Sequence, residues 1–300
     1  MNWMQVALGA WRWKVLAFGA AAGLWGGLLH EATLLLPAHP DWPGLRLLLA
    51  GAALGLGFGV FLAPVDSLTR HCYRRALRAG VAGVLLGALL GAAGAAAQPH
   101  LHGAVARLAP AWAEAGLPAW GGAAITLGLV GAACGVAAGF AIGRPERIVR
   151  QGVLGLLVGA AASPLLPGLP RLAGFAEWSV PAALVAWGVC VALALHWWGL
   201  WRARRWLRLL TGPGEDEIYP LLGRQVTLGK NERNDIPLRQ FQEVYPYHCE
   251  LVWAEGHYKV VDNERGGVVL VNYRQVQEHL LRPGDLVKVG SALLQYGEAS

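Results

Sequence analysis

In this 300-residue chain the side chains able to do chemistry are few and far apart. Four ionisable groups fall in or beside apolar stretches, where a transporter would keep its coupling residues: His30, Glu31, Asp66 and His196. Each is close enough to the end of its stretch to reach the interface, and Trp197 and Trp198 beside His196 fit an aromatic belt. His100 and His102 form an HxH pair, but with no third ligand a solvated loop is the better reading than a metal site. Cys72, Cys134, Cys190 and Cys249 are widely spaced with no CxxC, so neither a disulfide framework nor a zinc site is expected. No glycine loop runs into Lys-Ser/Thr to cradle a phosphate, and Asp262 and Asp285 occupy turns rather than a facing carboxylate pair. The expectation is a protein that is not an enzyme and carries no cofactor and no metal.

The elements that would position these groups separate into two halves. Hydrophobic residues make up 55% of the chain and charged ones 15%, against ~25% in an ordinary soluble domain. Up to Leu210 there are 16 Lys and Arg against 6 Asp and Glu; beyond it there are 9 against 13. The basic excess therefore belongs to an apolar half and is no argument for nucleic acid, while the C-terminal part is mildly acidic. A spanning helix needs ~20 mostly apolar residues. Six stretches qualify: Val15–Leu36, Leu45–Val65, Ala79–Ala97, Ala119–Ile142, Gly152–Leu169 and Val180–Trp201. With six spans, one side receives 13 Lys and Arg and the other only Arg46, Arg107 and Arg171. The positive-inside rule then puts both termini in the cytosol of a multi-pass protein of the cell (plasma or inner) membrane.

Glycines recur every fourth residue in four of these spans: Gly19, Gly23 and Gly27; Gly51, Gly55 and Gly59; Gly83, Gly87 and Gly91; Gly131, Gly135 and Gly139. Each set lines one helix face, where missing side chains let backbones approach closely. Compact packing in the lipid bilayer is the expected use, and self-assembly of copies into a homo-oligomer through the same faces is a further one. The pattern also repeats internally. Glycine helix, basic loop and the run Arg78–Gly87 are echoed by glycine helix, a loop eight residues shorter and the run Arg150–Gly159. Both copies have the same orientation, unlike the inverted repeats of many transporters.

After Arg208 the composition changes. Thr211–Glu217 reads as a polar linker, followed by short β-patterned runs at Val226–Leu228, Ile236–Leu238, Cys249–Trp253, Tyr258–Val261, Val268–Val271, Leu286–Val289 and Leu293–Tyr296. Strands this dense, separated by Gly, Pro, Asn and Asp turns, make a small all-β sandwich or barrel. The runs Leu228-Gly-Lys230, Asn234-Asp-Ile236 with Leu238, Val244 followed by His248, Val271-Asn272, and Leu281-Arg-Pro-Gly-Asp-Leu286 with Val289-Gly290 together resemble the forkhead-associated (FHA) domain. The resemblance covers Ile218–Glu298 and implies an 11-stranded β-sandwich that reads phosphothreonine peptides with the loops at one end. The organisation expected is therefore 1–210 as a membrane α-helical bundle of about six spans, 211–217 as a linker and 218–298 as an FHA-like β-sandwich.

The same resemblance places departures on the positions that touch ligand. Lys230 stands where the family has arginine, which keeps the charge and loses the planar fork that suits phosphate. Tyr245 replaces the phosphate-gripping serine, Pro246 the following arginine, and Gly267 the asparagine of the asparagine-glycine turn. His248, Asn234, Asp235 and Asn272 are the positions expected to brace the loops. Two readings follow. In one the module still takes a phosphorylated or anionic segment with Lys230, Arg233 and Arg265; in the other it docks a protein with no phosphate requirement. Four lost contacts favour the second. The function expected is an integral membrane adaptor, or scaffold, presenting this module to a cytosolic protein or phosphoprotein. A small transporter or channel subunit with a regulatory FHA-like domain is the alternative.

Overall fold

The computed structural model describes residues 12–37, 42, 44–69, 72–108, 117–142, 145–163, 179–202, 204–212, 215–263 and 267–299. It divides into two compact units, one of Arg12–His196 and a second containing Trp197–Ser300.

The first unit is helical: α1 (Arg12–Leu34), α2 (Leu45–Leu62), α3 (Val65–Thr69), α4 (Tyr73–Leu108), α5 (Leu117–Ile142), α6 (Pro145–Ala161) and the start of α7 (Ser179–Arg202). A helix is the form in which an apolar segment satisfies its own backbone in lipid. Among the described residues, four stretches are long and apolar enough to cross a membrane: Trp13–Leu34, Leu45–Leu68, Tyr73–Leu101 and Gly121–Ala141. The two other expected spans fall on α6 and α7. In α7 the apolar stretch Ala182–His196 is shorter. α6 starts at Pro145, seven residues ahead of the expected span, and the residues that would carry that span on to Leu169 lie partly outside the described ones.

The glycine faces meet each other inside the chain. Gly51, Gly55 and Gly59 of α2 lie against Gly91, Gly87 and Gly83 of α4, so close that a methyl at either member would enter the carbonyl of the other. α5 and α6 repeat this, with Gly131 on Gly155, Gly135 on Gln151 and Gly139 on Ile148. α1 and α7 meet at Gly19 with Gly188 and at Gly23 with Leu184, and Gly27 is buried. Within one chain these faces pack on one another. Relative to the first copy of the repeat, the second is displaced: Gly131 faces Gly155 where equivalence with Gly91 would give Ser163. That shift of eight residues, about two turns, equals the length the second loop lacks, and glycine on every fourth position lets the faces re-register. The first loop spends its extra residues on α3.

Larger side chains close the remaining gap. Phe58 and Trp187 are fully buried and meet edge to face at 4.5 Å, and the Trp187 indole N–H donates to the Gly159 carbonyl at 2.9 Å. Buried Arg75 directs Nε at the Ala141 carbonyl, near the C-terminal end of α5, at 3.4 Å. Of the candidate coupling residues, His30 Nδ1 is 3.2 Å from the Ala50 carbonyl oxygen, Glu31 is exposed, and Asp66 opens α3. His196 is half-buried. Among the described residues no group of three His, Cys, Asp or Glu side chains could hold a metal ion; the His102 side chain lies outside those residues.

The second unit is a sandwich of eleven strands: β1 (Arg205–Leu209), β2 (Ile218–Pro220), β3 (Gln225–Gly229), β4 (Ile236–Pro237), β5 (Cys249–Ala254), β6 (His257–Asp262), β7 (Val269–Val271), β8 (Arg274–Gln275), β9 (Glu278–Leu280), β10 (Leu286–Val289) and β11 (Ala292–Glu298). One sheet runs β2-β1-β11-β10-β7-β8 and the other β4-β3-β5-β6-β9. Alternation does the sorting: Leu207, Leu209, Val226, Leu228, Leu251, Val260, Val287, Val289, Leu294 and Tyr296 all point into the common core. β1 lies upstream of the segment read as a linker. Thr211–Glu217 therefore joins β1 to β2 inside one sheet, and the sandwich begins in residues assigned above to the membrane half. The run Arg-Trp-Leu-Arg-Leu looks like a basic helix flank by composition, yet its register with β11 makes it a strand.

Candidate functional site

The site is built from the loops at one end of the sandwich. β3 ends at Gly229, β4 runs parallel to it, and β5 starts at Cys249 opposite Leu228, so the β3–β4 and β4–β5 loops emerge side by side. The β6–β7 loop and the β10–β11 turn join them, because β6 ends beside Cys249 and β10 ends at Val289 opposite Val269. The chain comes into β1 at the opposite end, where Arg205 pairs with Glu298 across β11.

The residues expected to brace these loops divide between the two ends. His248 is 2% exposed and stitches two loops: its Nδ1 accepts from the Tyr245 N–H at 3.1 Å within the β4–β5 loop, and its Nε2 lies 3.4 Å from the Val268 carbonyl of the β6–β7 loop. This pattern requires the neutral imidazole with its proton on Nε2. Asn234 is fully buried, and its amide donates to the carbonyls of Asn231 and Pro246, tying the β3–β4 loop to the β4–β5 loop. Asp235 accepts from the N–H and hydroxyl of Thr227 and so pins the return into β4 to β3. Asn272 is at the other end. It sits in the left-handed region at φ 49° and bridges to Asp285 and to the Leu286 N–H, holding the β7–β8 and β9–β10 turns together.

The residues expected to touch a ligand are at the loop end, except Arg265, which lies outside the described residues. Lys230 and Arg233 are exposed, and Tyr245 is 42% exposed. The backbone donors beside them are already used. Lys230 N–H donates to the Tyr245 carbonyl at 2.8 Å, Asn231 N–H to the Pro246 carbonyl at 3.1 Å, and Arg233 N–H to the Asn231 side chain at 3.0 Å. Gly267 is shut by the His248 ring, which lies where a β-carbon at 267 would be. Gly229 is required in the same way: its β-carbon would meet the Pro246 carbonyl oxygen at 2.5 Å. Both His248 nitrogens serve the loops.

Beside these loops runs a cleft of about 470 Å3, lined by Glu243, Tyr245, Pro246, Val268, Leu270 and Lys288 among others. The sequence reading missed it, along with Asn231, whose amide reaches the Tyr247 hydroxyl at 3.2 Å. The signal for Lys288 was present: in Leu286-Val287-Lys288-Val289 the alternation puts lysine on the outward face.

Comparison with known proteins bears on this end of the chain. Residues 208–300 match the profile of a family described as the inner membrane component of T3SS, cytoplasmic domain. No curated protein matches the chain. Among solved structures, the FHA domain of the CT664 protein from Chlamydia trachomatis is similar at 17% identity and TM-score 0.30, covering 33% of this chain and 100% of that one. The FHA domain of an Arabidopsis thaliana hypothetical protein aligns at 20% identity and TM-score 0.30, over 32% and 86% of the respective chains. The N-terminal FHA domain of Rad53p from S. cerevisiae, solved with a phosphothreonine peptide, aligns at 20% and TM-score 0.29 over 31% and 92%. The C-terminal unit is thus an FHA-like β-sandwich matching that cytoplasmic-domain family, in a chain whose N-terminal helices are apolar enough to span a membrane.

Proposed function

We propose that this chain is an integral membrane adaptor whose FHA-like sandwich faces the cytosol and docks a protein partner without requiring phosphothreonine. The observation that carries this reading is the state of the loop-end donors. A phosphate site needs free N–H groups and a planar cation aimed at the anion. Here the N–H groups of Lys230, Asn231 and Tyr245 are spent on Tyr245, Pro246 and His248, which leaves the exposed side chains of Lys230 and Arg233 without those backbone donors beside them. A dianion placed there would lose water without gaining enough partners. Lys230, Arg233, Tyr245 and Gly267 belong, on this reading, to a protein-docking rim, with Arg265 at its margin.

The matched family's description names a cytoplasmic domain of an inner-membrane component, and that description and the loop charges both support reading the module as cytosolic. Six spans, of which α6 and α7 supply the last two, would bring both termini to that side. The helices are then an anchor, and binding is the activity.

The test uses the full chain in lipid nanodiscs against matched phosphothreonine and unphosphorylated peptide libraries. Equal affinity for the two sets is expected. Selective phosphopeptide binding that weakens with Lys230→Ala would overturn the phosphate-independent reading.

A further inference from the structure

We propose that the partner segment lies across the outer face of the six-stranded sheet, and that it is an extended, unphosphorylated peptide carrying a single carboxylate between aliphatic side chains. This rests on the protein-docking reading above and adds the place and the chemistry of the ligand. The cleft beside the loops has Leu270 of β7 and Lys288 of β10 on the outward face of that sheet. The face continues past the cleft. Lys288 stands opposite Leu293 of β11, and the Leu210 N–H, just past β1, donates to the Leu293 carbonyl. Leu210, Leu293, Lys288 and Leu270 thus form one row across four strands, each of them partly exposed. The rim adds exposed Val268 and Tyr245.

Lys288 decides the chemistry. It is half-buried between two leucines, and among the described residues no carboxylate forms an ion pair with it. A cation in such surroundings is better solvated by a carboxylate brought by a ligand than by water alone. Glu243 at the rim of the same cleft is unfavourable for a second negative charge, which argues against a polyacidic tract and against a phosphate dianion. Three strand spacings of about 4.8 Å make the row roughly 14 Å long, the reach of four or five extended residues. A segment of that length can put aliphatic side chains on Leu210, Leu293 and Leu270 with its acid over Lys288.

The probe is a set of unphosphorylated nonapeptides with central Glu flanked by Val, Leu and Ile, together with the same set carrying Lys at the centre. Binding is measured to the full chain in nanodiscs. The Glu set is expected to bind better than the Lys set, Lys288→Glu to weaken it about tenfold and reverse the preference, and Lys259→Ala, on β6 of the other sheet, to leave it unchanged. Lys288→Met checks that the effect follows charge; it should weaken the Glu set without favouring the Lys set. Glu-set binding unaltered by Lys288→Glu sinks the site. If that binding instead falls with Lys230→Ala, or needs phosphothreonine, it belongs to the loop end and only the present inference fails. No binding by any peptide removes the docking reading as well. Loss in Lys288→Glu accompanied by a halving of the particle mass would assign the face to a second copy and overturn the peptide partner.

Discussion

At the scale of single residues, the loop end is held by contacts among its own groups. Gly267 cannot regain a side chain cheaply, because its β-carbon would stand in the His248 ring. Gly267→Ala should cost about 1–3 kcal/mol, the usual cost of overpacking, read as a lower unfolding midpoint of the sandwich by near-ultraviolet circular dichroism. An unchanged midpoint would mean that His248 has freedom to move. At the other end, burial pushes the Glu298 carboxyl up, but hydrogen bonds from Tyr296 at 2.5 Å and Arg205 at 2.7 Å and the charges of Arg205 and His257 outweigh it. The net effect holds Glu298 below the usual glutamate range. The unfolded chain then binds the proton at higher pH than the folded one does. The stabilisation is complete above the ordinary glutamate value of about 4.3 and is lost as pH falls through the lower folded value. Melting curves between pH 7 and 3 should show this acid loss, and Glu298→Gln should flatten it. An equally steep loss in that variant would assign the acid sensitivity to other carboxylates.

At the scale of elements, the helix faces and the strands were legible to different degrees. The four-residue glycine rows were plain in the sequence because their period is that of a helix face, but a row does not state its partner. That information is in the register: Gly55 meets Gly87, and Gly135 meets Gln151, within one chain. Gly55→Leu should therefore cost at least the ~3 kcal/mol upper end of ordinary overpacking, read as loss of helicity at lower SDS fraction in detergent titration. Gly80 on α4 has open space beside it, so Gly80→Leu should titrate like the parent chain. Equal behaviour of the two variants would show that the close approach of α2 and α4 does not hold. Among strands, β3, β4, β5, β6, β7, β10 and β11 were readable from alternation and turns. β1 was not, because Arg205-Trp-Leu-Arg-Leu209 carries a helix-flank composition and becomes a strand by pairing with β11, some ninety residues away. The site shows the same limit. His248 and Asn234 were legible from motif spacing, whereas the Lys288 cleft depends on which strands lie side by side.

At the scale of the whole molecule, a duplicated glycine hairpin and a sandwich share one chain, and the boundary between the two compact units, His196–Trp197, lies ahead of the charge boundary at Leu210 because β1 carries Arg205 and Arg208 into the sandwich. The two hairpins run in the same direction, so each brings its basic loop to one side, near Arg74 and Arg78 in the first copy and near Arg147 and Arg150 in the second. Arg46, at the start of α2, belongs to the opposite side. Since Lys and Arg next to spans are retained on the cytosolic side, this asymmetry supports the orientation proposed above. Both Arg46 and Arg74 are exposed, so cysteine can replace either with little effect on packing. The parent chain supplies the background, because Cys72, Cys134 and Cys249 are buried and Cys190 lies within α7. In intact spheroplasts a membrane-impermeant maleimide should label Arg46→Cys at once and leave Arg74→Cys unlabelled until the membrane is opened. Glu278→Cys, on the exposed edge strand β9 of the sandwich, should behave like Arg74→Cys. Labelling of Glu278→Cys from outside would place the module away from the cytosol and end the adaptor reading. Labelling of Arg74→Cys alone would instead mean that the first hairpin is inverted while the module stays inside, and that the number of spans between them is odd.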